Sequence, residues 1–231
     1  MAYFWPIASQ YCGVCNPTIY KIASATAIEK GEVVNLTNKL VVAMGTDGTD
    51  FDGPCLGVAA EDHDGSTADG RQTGTEIAIW DNPMQVFATT PRNVCTATGG
   101  STTTFVDATG DGLGATDDMW IGGKLWIIAH AGESGYNGTK HNITDYAQAS
   151  GTVTIGTTLS SALGAGDTAY LCPGPYYMRG EYAYDLNSDG TDINWEALGG
   201  ESMVIVGADP ENFIVSVRFR LHLNGCGISA L

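Results

Sequence analysis

Basic side chains are scarce in this sequence of 231 residues: 10 Lys and Arg stand against 26 Asp and Glu, a formal net charge of −16. A surface this negative repels phosphate backbones and anionic lipids, which argues against nucleic acids and membrane surfaces as partners. No apolar run approaches the roughly 20 residues of a membrane-spanning helix. The first ten residues lack the basic and apolar regions of a secretory signal, so we expect the protein in a cytoplasm-like compartment.

The apolar content is sufficient for a packed core, because hydrophobic residues make up 43% of the chain. A chain of this length forms one large domain or two small ones. Short runs rich in Val, Ile, Thr and aromatic residues recur between clusters of Gly, Asp, Asn and Thr, which predicts an all-β fold. The predicted strands are 33–36, 39–44, 56–60, 76–80, 85–89, 124–128, 140–146, 152–155, 168–171, 202–206 and 213–221. Helix signals are weak, and the pattern favours only a single helical turn at 195–198.

Two composition shifts indicate an inserted domain. The chain leaves one group of strands near 90–92 for a Thr- and Gly-rich stretch, and it leaves a second group near 173–175. Insertions are tolerated where the ends of the surrounding chain lie close together. We therefore predict an N-terminal arm at 1–19, a β domain at 20–92 completed by 176–231, and an inserted β domain at 93–175.

The N-terminal arm carries side chains that are unusual for a free terminus: Tyr3, Phe4, Trp5, Ile7 and Tyr11. Apolar segments of this kind are normally held against the same chain or against a neighbour.

The last predicted strand, 213–221, alternates between two kinds of residue. Phe213, Val215, Val217, Phe219 and Leu221 would share one face, whereas Ile214, Ser216, Arg218 and Arg220 would share the other. This period of two predicts a half-buried strand with a basic outer edge.

Six cysteines occur, and only Cys12 and Cys15 are closely spaced. A redox C-x-x-C pair needs a helix N-terminus to lower the pKa of its first thiol, and Asn16-Pro17 follows here instead. A zinc site needs four ligands, but the other cysteines are scattered and none pairs with a histidine at ligand spacing. We therefore predict thiols that serve mainly in packing.

One acidic segment matches a calcium-binding loop. Residues 185–196 (DLNSDGTDINWE) satisfy the template D-x-[DN]-x-[DN]-G-x5-E, in which Gly190 makes the sharp turn. The candidate ligands are Asp185, Asn187, Asp189 and Glu196, with Glu196 at the bidentate position. An Asx-rich β-turn uses the same residue types for local hydrogen bonds, so calcium and a plain turn remain alternatives. No other cofactor is predicted.

A second acidic segment spans 47–69 and contains no Lys. Its acidic residues are Asp47, Asp50, Asp52, Glu61, Asp62, Asp64 and Asp69. They are suited to divalent cations or to a basic neighbour, although such a run is more often a solvated face. His63 lies among these carboxylates, and we expect it to be exposed rather than a metal ligand.

Catalysis finds little support in the motifs. The sequence lacks a G-x-S-x-G elbow, a P-loop and a dinucleotide fingerprint, and His130, His141 and His222 have no metal-binding spacing. Two acid pairs, Asp117 with Asp118 and Asp107 with Asp111, would suit a glycosidase, but acids are abundant enough to pair by chance. The aromatic residues Trp80, Trp120, Trp126 and Tyr136 would suit sugar stacking, whereas aromatics in strands usually lie in the core or in subunit contacts. We predict that the chain is not an enzyme.

Five short motifs follow one another in the first part of the chain: AIEKGEVV at 27–34, KLVVAM at 39–44, GVAAED at 57–62, GTEIAI at 74–79 and MQVF at 84–87. Their order resembles the small β-barrel of tailed-bacteriophage capsid decoration (cement) proteins.

The predicted insert contains a second series of motifs: GGSTTTFVD at 99–107, WIGGKL at 120–125, NITDY at 142–146, GTVTI at 151–155 and AGDTAY at 165–170. This series looks like a β-module of phage virion structural proteins.

These resemblances imply a small β-barrel or β-tulip-like domain with an inserted β-sandwich or β-barrel. They also imply a virion protein on the capsid exterior, assembled in the host cytoplasm, that cements neighbouring major capsid proteins as a homotrimer. The alternative is a virion-displayed carbohydrate- or receptor-binding module, with or without a dependence on calcium.

Overall fold

The computed structural model describes residues 4–7, 14–22, 27–37, 40–43, 55–64, 76–82, 84–91, 94–109, 113–114, 117–174, 183–186, 193–198 and 203–219. Over these residues the chain is nearly all β, with curled antiparallel sheets that form a half-barrel, which confirms the predicted fold class. The helical elements there are two 3-10 turns, Ser134–Tyr136 and Gln148–Ser150. No helix in these ranges has the length and apolar character needed to cross a membrane.

Twenty strands occur in the described ranges, and they are numbered here in chain order. They are β1 (Trp5–Ile7), β2 (Thr18–Lys21), β3 (Ala27–Ile28), β4 (Val33–Thr37), β5 (Leu40–Ala43), β6 (Gly57–Ala59), β7 (His63–Asp64), β8 (Glu76–Trp80), β9 (Val86–Thr89), β10 (Cys95–Thr96), β11 (Gly99–Gly100), β12 (Thr104–Val106), β13 (Lys124–Ala129), β14 (Lys140–Ala147), β15 (Thr152–Ile155), β16 (Thr168–Cys172), β17 (Ala183–Leu186), β18 (Ile193–Leu198), β19 (Met203–Asp209) and β20 (Ile214–Phe219).

The first sheet contains five strands in the order β2-β8-β6-β4-β5. It curls until its two ends meet, because Ile22 directly after β2 forms a parallel bridge with Val41 in β5. Curling of this kind lets one small sheet enclose an apolar core. That core consists of Ile22, Ile28, Val34, Val41, Ala43, Leu56, Ala59, Ile77 and Ile79.

The second sheet joins the beginning of the chain to its last described part, in the order β1-β9-β20-β19-β17-β18. The N-terminal segment thus pairs with its own chain: Trp5 lies opposite Ala88, and Ile7 lies opposite Val86. Phe4 is buried and packs edge-to-face on Phe219 with ring centroids 4.9 Å apart. The segment is therefore part of the core of this sheet.

The third sheet is built wholly from residues between 95 and 172, in the order β10-β16-β13-β14-β15-β12-β11. Its terminal strands β10 and β11 belong to one short segment, 95–100, so both edges of the sheet bond to the same stretch of chain. The sheet therefore closes on itself, which removes its open edges. The predicted domain boundaries at 93 and 175 enclose this sheet, and the division into domains stays a prediction.

Aromatic rings join the third sheet to the second. Trp120 packs edge-on to Trp195 with ring centroids 5.0 Å apart, and Trp126 packs on Phe213 at 5.3 Å. At the rim of this contact the Lys124 ammonium lies 2.8 Å from a carboxylate oxygen of Glu211. The two sheets consequently share one continuous apolar core.

Close backbone approach marks the place where the chain leaves the third sheet. A Cβ on Gly123 would lie 2.1 Å from the carbonyl oxygen of Cys172, and one on Gly174 would lie 2.4 Å from that of Ile121. No side chain fits at either position, so glycine is required there.

Two sequence-based expectations can be compared with the strands directly. The alternation of the last strand is confirmed over its described part: Val215, Val217 and Phe219 are buried, whereas Arg218 is exposed. Arg220 and Leu221 lie outside the described residues. The helical turn at 195–198 is wrong, because these residues belong to β18, whose pairing with β17 supplies hydrogen bonds that an isolated turn would lack.

Replacement of Phe4 by Ala tests whether the N-terminal segment is part of the core. We expect the free energy of unfolding to fall by about 3–5 kcal/mol, because a buried phenyl ring is lost and a cavity is left. Chemical denaturation measures this change, and Val206→Ala, at a side chain that is 36% exposed, is the control. A loss below about 1 kcal/mol for Phe4→Ala would contradict this placement.

Candidate functional site

The predicted calcium loop connects two paired strands. Asp185 lies in β17 and Glu196 in β18, and the backbone register places Asp185 opposite Asn194. Asn187 and Asp189 lie outside the described residues. The flanks of the loop are thus the two arms of a hairpin, and calcium binding stays a prediction.

Two carboxylates of the acidic segment 47–69 accept hydrogen bonds from the backbone of neighbouring segments. Glu61 accepts a hydrogen bond from the N–H of Ala78, and Asp62 accepts one from the N–H of Lys30, both at 2.8 Å. His63 is buried at 7% exposure, so the expectation of an exposed ring is wrong. Its strand β7 pairs with β3, and this pairing brings the ring into the protein. The positions of Asp47, Asp50, Asp52 and Asp69 lie outside the described residues.

The acids considered for a glycosidase also make local hydrogen bonds. Asp107 is buried and accepts hydrogen bonds from the N–H and the hydroxyl of Thr109. Asp117 accepts a bond from the N–H of Gln148 at 2.7 Å, while Asp118 occupies a turn with φ 63°. Asp111 lies outside the described residues. The bonds of Asp107 and Asp117 are typical of carboxylates that hold turns together.

The four aromatic residues considered for sugar stacking pack on the core. Trp120 is fully buried, and its indole N–H donates to the carbonyl oxygen of Leu113. Trp80, Trp126 and Tyr136 are partly buried against the same core. The core interpretation is therefore confirmed for Trp120, and for the three partly buried rings the choice between core and subunit contact stays a prediction.

Three cysteine thiols lie in the interior. Cys55, Cys95 and Cys172 are buried. Burial raises the pKa of the Cys55 and Cys172 thiols to about 12, which suppresses the reactive thiolate form at neutral pH. Cys15 is half-buried, and Cys12 and Cys226 lie outside the described residues.

The least expected feature of the structure is a buried His–Asp pair at one end of the third sheet. His130 follows β13 and Asp167 precedes β16, and the pairing of Ala129 with Thr168 brings them side by side. The Nδ1 atom of His130 lies 2.7 Å from Oδ2 of Asp167, and both side chains are at least nine-tenths buried. The contact with Phe213 is made by Trp126, which comes before His130 along β13. The His–Asp pair lies beyond the other end of the paired strands β13 and β16.

Backbone donors fix the carboxylate of Asp167. The N–H of Ala131 donates to Oδ1 and the N–H of Gly164 donates to Oδ2, both at 2.8 Å. Burial alone would raise the pKa of Asp167, but these two N–H groups and the His130 ring outweigh it and hold the pKa below its ordinary value. The aspartate is therefore ionised and aimed at the imidazole.

The other ring nitrogen of His130, Nε2, is buried and makes no hydrogen bond to a described residue. It faces Gly132: a Cβ at that glycine would lie 3.3 Å from Nε2 and 2.6 Å from the hydroxyl oxygen of Ser161. The free ring nitrogen and the hydroxyl therefore flank the same point. Buried polar atoms without a partner are rare and often mark a functional group.

A second set of polar side chains lies next to the pair. The hydroxyl of Ser160 donates to Glu133 at 2.6 Å and lies 3.0 Å from the hydroxyl of Tyr136. The Tyr136 ring stands 6.1 Å from the ring of His130. Together these residues form a polar surface at the loop end of the sheet.

A second histidine, His141, lies on the far side of Tyr136, with ring centroids 6.1 Å apart. Its Nε2 atom lies 2.8 Å from the hydroxyl of Thr139. Burial and the nearby Lys124 charge lower the pKa of His141, so this ring is neutral at pH 7. It therefore adds no charge to the polar surface.

The arrangement suits proton transfer better than metal binding. Over the described residues no group of three or more His, Cys, Asp and Glu side chains is placed to hold a metal ion. A histidine whose Nδ1 donates to a fixed carboxylate presents Nε2 as a base.

Sequence motifs alone did not identify this pair, because His130 and Asp167 are 37 positions apart. The positions of the two residues relative to the predicted strands did indicate that they could meet. His130 follows a predicted strand and Asp167 stands in a Gly-Asp turn that opens another, so antiparallel pairing of those strands would bring the two residues together.

Comparisons with protein-family models, with curated proteins and with solved structures find no match to this chain. Its function is therefore inferred from its residues and their geometry.

The ionised state of Asp167 predicts a pH-dependent contribution to stability. Its folded-state pKa lies below the unfolded value of about 3.9, so the stabilisation is complete above that pH and is lost as the pH falls through the folded-state pKa. We expect Asp167→Asn to lower the free energy of unfolding at pH 7 by about 2–4 kcal/mol.

Denaturation at pH 7 and at pH 3 measures the difference, which should shrink at the lower pH. Asp117→Asn, at an exposed carboxylate, is the control and should change stability by less than about 1 kcal/mol. An equal loss at both pH values would show that the charge of Asp167 is not what stabilises the fold.

Proposed function

We propose that this chain is a structural protein of a tailed-phage particle. In this proposal it binds the outer surface of the capsid as a homotrimer and cements neighbouring major capsid proteins. The sequence resemblance supports this function, and so does an all-β architecture with a small curled sheet and an inserted closed sheet.

The observation that carries the proposal is the exposed indole of Trp5 on strand β1. Trp5 is 41% exposed although its neighbour Phe4 is buried. Strand β1 is the outermost strand of the second sheet and pairs only with β9 in the described part of the chain. An edge strand with an exposed aromatic residue suits docking to another protein, because strand edges offer unpaired backbone groups and Trp is enriched at binding hot spots.

Two further exposed apolar side chains extend this surface. The N–H of Cys15 donates to the side chain of Gln85, whose amide in turn donates to the carbonyl oxygen of Ile7. This connection places Val14 and Met84, which are 53% and 47% exposed, beside β1. A contact that includes Trp5, Val14 and Met84 would bury apolar area at each symmetry-related position of a shell.

The negative charge fits a protein on the outside of a shell. A formal charge of −16 keeps the chain away from the packaged genome and makes particles repel one another.

A second candidate is a calcium-dependent receptor- or carbohydrate-binding module on the particle. The observation that favours it is that β17 and β18 pair as the two arms of a hairpin around the 185–196 motif, since binding loops are often carried on a rigid scaffold.

Replacement of Trp5 by Ala tests the cementing function. We expect the variant to fold but to bind capsids at least about tenfold more weakly, since loss of a hot-spot side chain costs 1.4 kcal/mol or more. Co-sedimentation with capsids prepared without this protein measures the affinity.

Val206→Ala, a change at an exposed apolar side chain on β19, is the matched control and should bind like the native chain. Truncation of the N-terminal segment would be less informative because it also removes Phe4 from the core. Light scattering after size exclusion should give a trimer. A native chain that does not sediment with capsids would contradict the proposal.

Calcium titration calorimetry tests the second candidate. If the motif binds calcium, the native chain should show one saturable site that Asp189→Asn removes and that Asp145→Asn, at an exposed acid on β14, retains. Glycan-array binding should then be lost in a chelator. If no heat of binding is measured, the motif is an Asx-rich turn and not a calcium site.

A further inference from the structure

We propose that Ser161, His130 and Asp167 form an acyl-transfer centre that hydrolyses small uncharged esters. This activity is separate from capsid binding and rests on the geometry of the loop end of the third sheet alone. Ser161 is the nucleophile, His130 is the general base, and Asp167 is a positioning residue.

The orientation of the imidazole is the first support. Nδ1 of His130 is 2.7 Å from the Asp167 carboxylate, which is itself held by the N–H groups of Ala131 and Gly164. The N–H of His130 also donates to the side chain of Asn137 at 2.8 Å, so the backbone at the histidine is fixed as well. A carboxylate in this position selects the tautomer that leaves Nε2 unprotonated and able to accept a proton.

The free Nε2 atom is the second support. It belongs to a residue that is 3% exposed and has no hydrogen-bond partner in the described part of the chain. A buried acceptor without a partner costs free energy, and such atoms often mark a functional group. The hydroxyl of Ser161 is the side-chain oxygen that flanks the same point beside Gly132. Ser161 is only partly buried, so its hydroxyl is open to a substrate from the solvent side.

Gly132 leaves open the space that lies beside both the Ser161 hydroxyl and the imidazole. A Cβ at this position would stand 2.6 Å from the Ser161 oxygen and 3.0 Å from Cε1 of His130. In the proposed centre the Ser161 oxygen moves into this space to reach Nε2, so the proposal requires glycine at position 132.

The neighbouring backbone supplies donors for a developing negative charge. The N–H groups of Leu163 and Gly164 are bonded to Ser101 and Asp167. Those of Gly132, Ser161 and Ala162 donate to no other described residue. N–H groups beside a nucleophile can stabilise the oxyanion of a tetrahedral intermediate.

The charge of the surface sets the substrate class. Glu133 accepts a hydrogen bond from Ser160 next to the nucleophile, and the whole chain carries a charge of −16. Anionic acyl groups would be repelled, so a short neutral acyl ester is the fitting substrate.

The reaction balances with water as the co-substrate. The Ser161 oxygen attacks the ester carbonyl carbon while its proton moves to Nε2 of His130; the ester C–O bond then breaks, and that proton passes to the departing alcohol. Water attacks the acyl-serine and gives its proton to Nε2, and the released Ser161 oxygen takes that proton back as the carboxylic acid leaves.

A fluorophosphonate probe with mass spectrometry on the folded full-length chain tests the centre. We expect one covalent adduct on Ser161, together with hydrolysis of p-nitrophenyl acetate. Ser161→Ala should abolish both. Ser160→Ala is the matched control, since its hydroxyl bonds to Glu133 and Tyr136, and it should keep both within about twofold.

Gly132→Ala tests the geometry in a chain that keeps every polar group. Its methyl group would displace the Ser161 hydroxyl, and we expect labelling at least about tenfold slower with an unchanged circular dichroism spectrum. Absence of an adduct on the native chain, an adduct on Ser160 instead, or full reactivity of Ser161→Ala would each overturn the proposal.

Discussion

The closure of the third sheet is the constraint on which the rest of the structure depends. Segment 95–100 bonds to β16 through β10 and to β12 through β11, so the sheet has no open edge in the described chain. Closure of the third sheet gives it two ends with different environments. One end packs through Trp120 and Trp126 on the second sheet, and the other gathers the loops that contain His130 and Asp167. The interface to the rest of the molecule and the polar loop end are therefore set by a single topology.

The two proposed activities use different parts of this arrangement. Trp5 lies on the outermost strand of the second sheet, whereas the His–Asp pair lies at the end of the third sheet far from the contact with Phe213. A molecule attached to a shell through its N-terminal region would leave that loop end for other contacts. The separation also means that a substitution at Trp5 and one at Ser161 are expected to act independently.

Alternating apolar residues and turn clusters were sufficient to predict the all-β class and the position of most long strands, because a half-buried strand repeats every two residues. The sequence pattern did not predict strand β18. Trp195 and Leu198 are locally compatible with a helical turn, and it is the pairing with β17 that makes this segment a strand. His63 was expected to be exposed among acids, but the β3–β7 pairing buries it. The His130–Asp167 pair depends on register across two strands, which composition and spacing do not specify.

The glycine crossing at 123 and 174 has a mechanical consequence. The segment that leaves the third sheet lies flat against the segment that enters β13, with no side chain between the backbones. Close backbone packing and the adjoining aromatic contacts leave little room for rotation between the two sheets. A force applied at the loop end would act along the close backbone contact at Gly123 and Gly174. It would shear this contact as a whole and would not separate the strands one after another. The third sheet should therefore resist rotation relative to the second sheet.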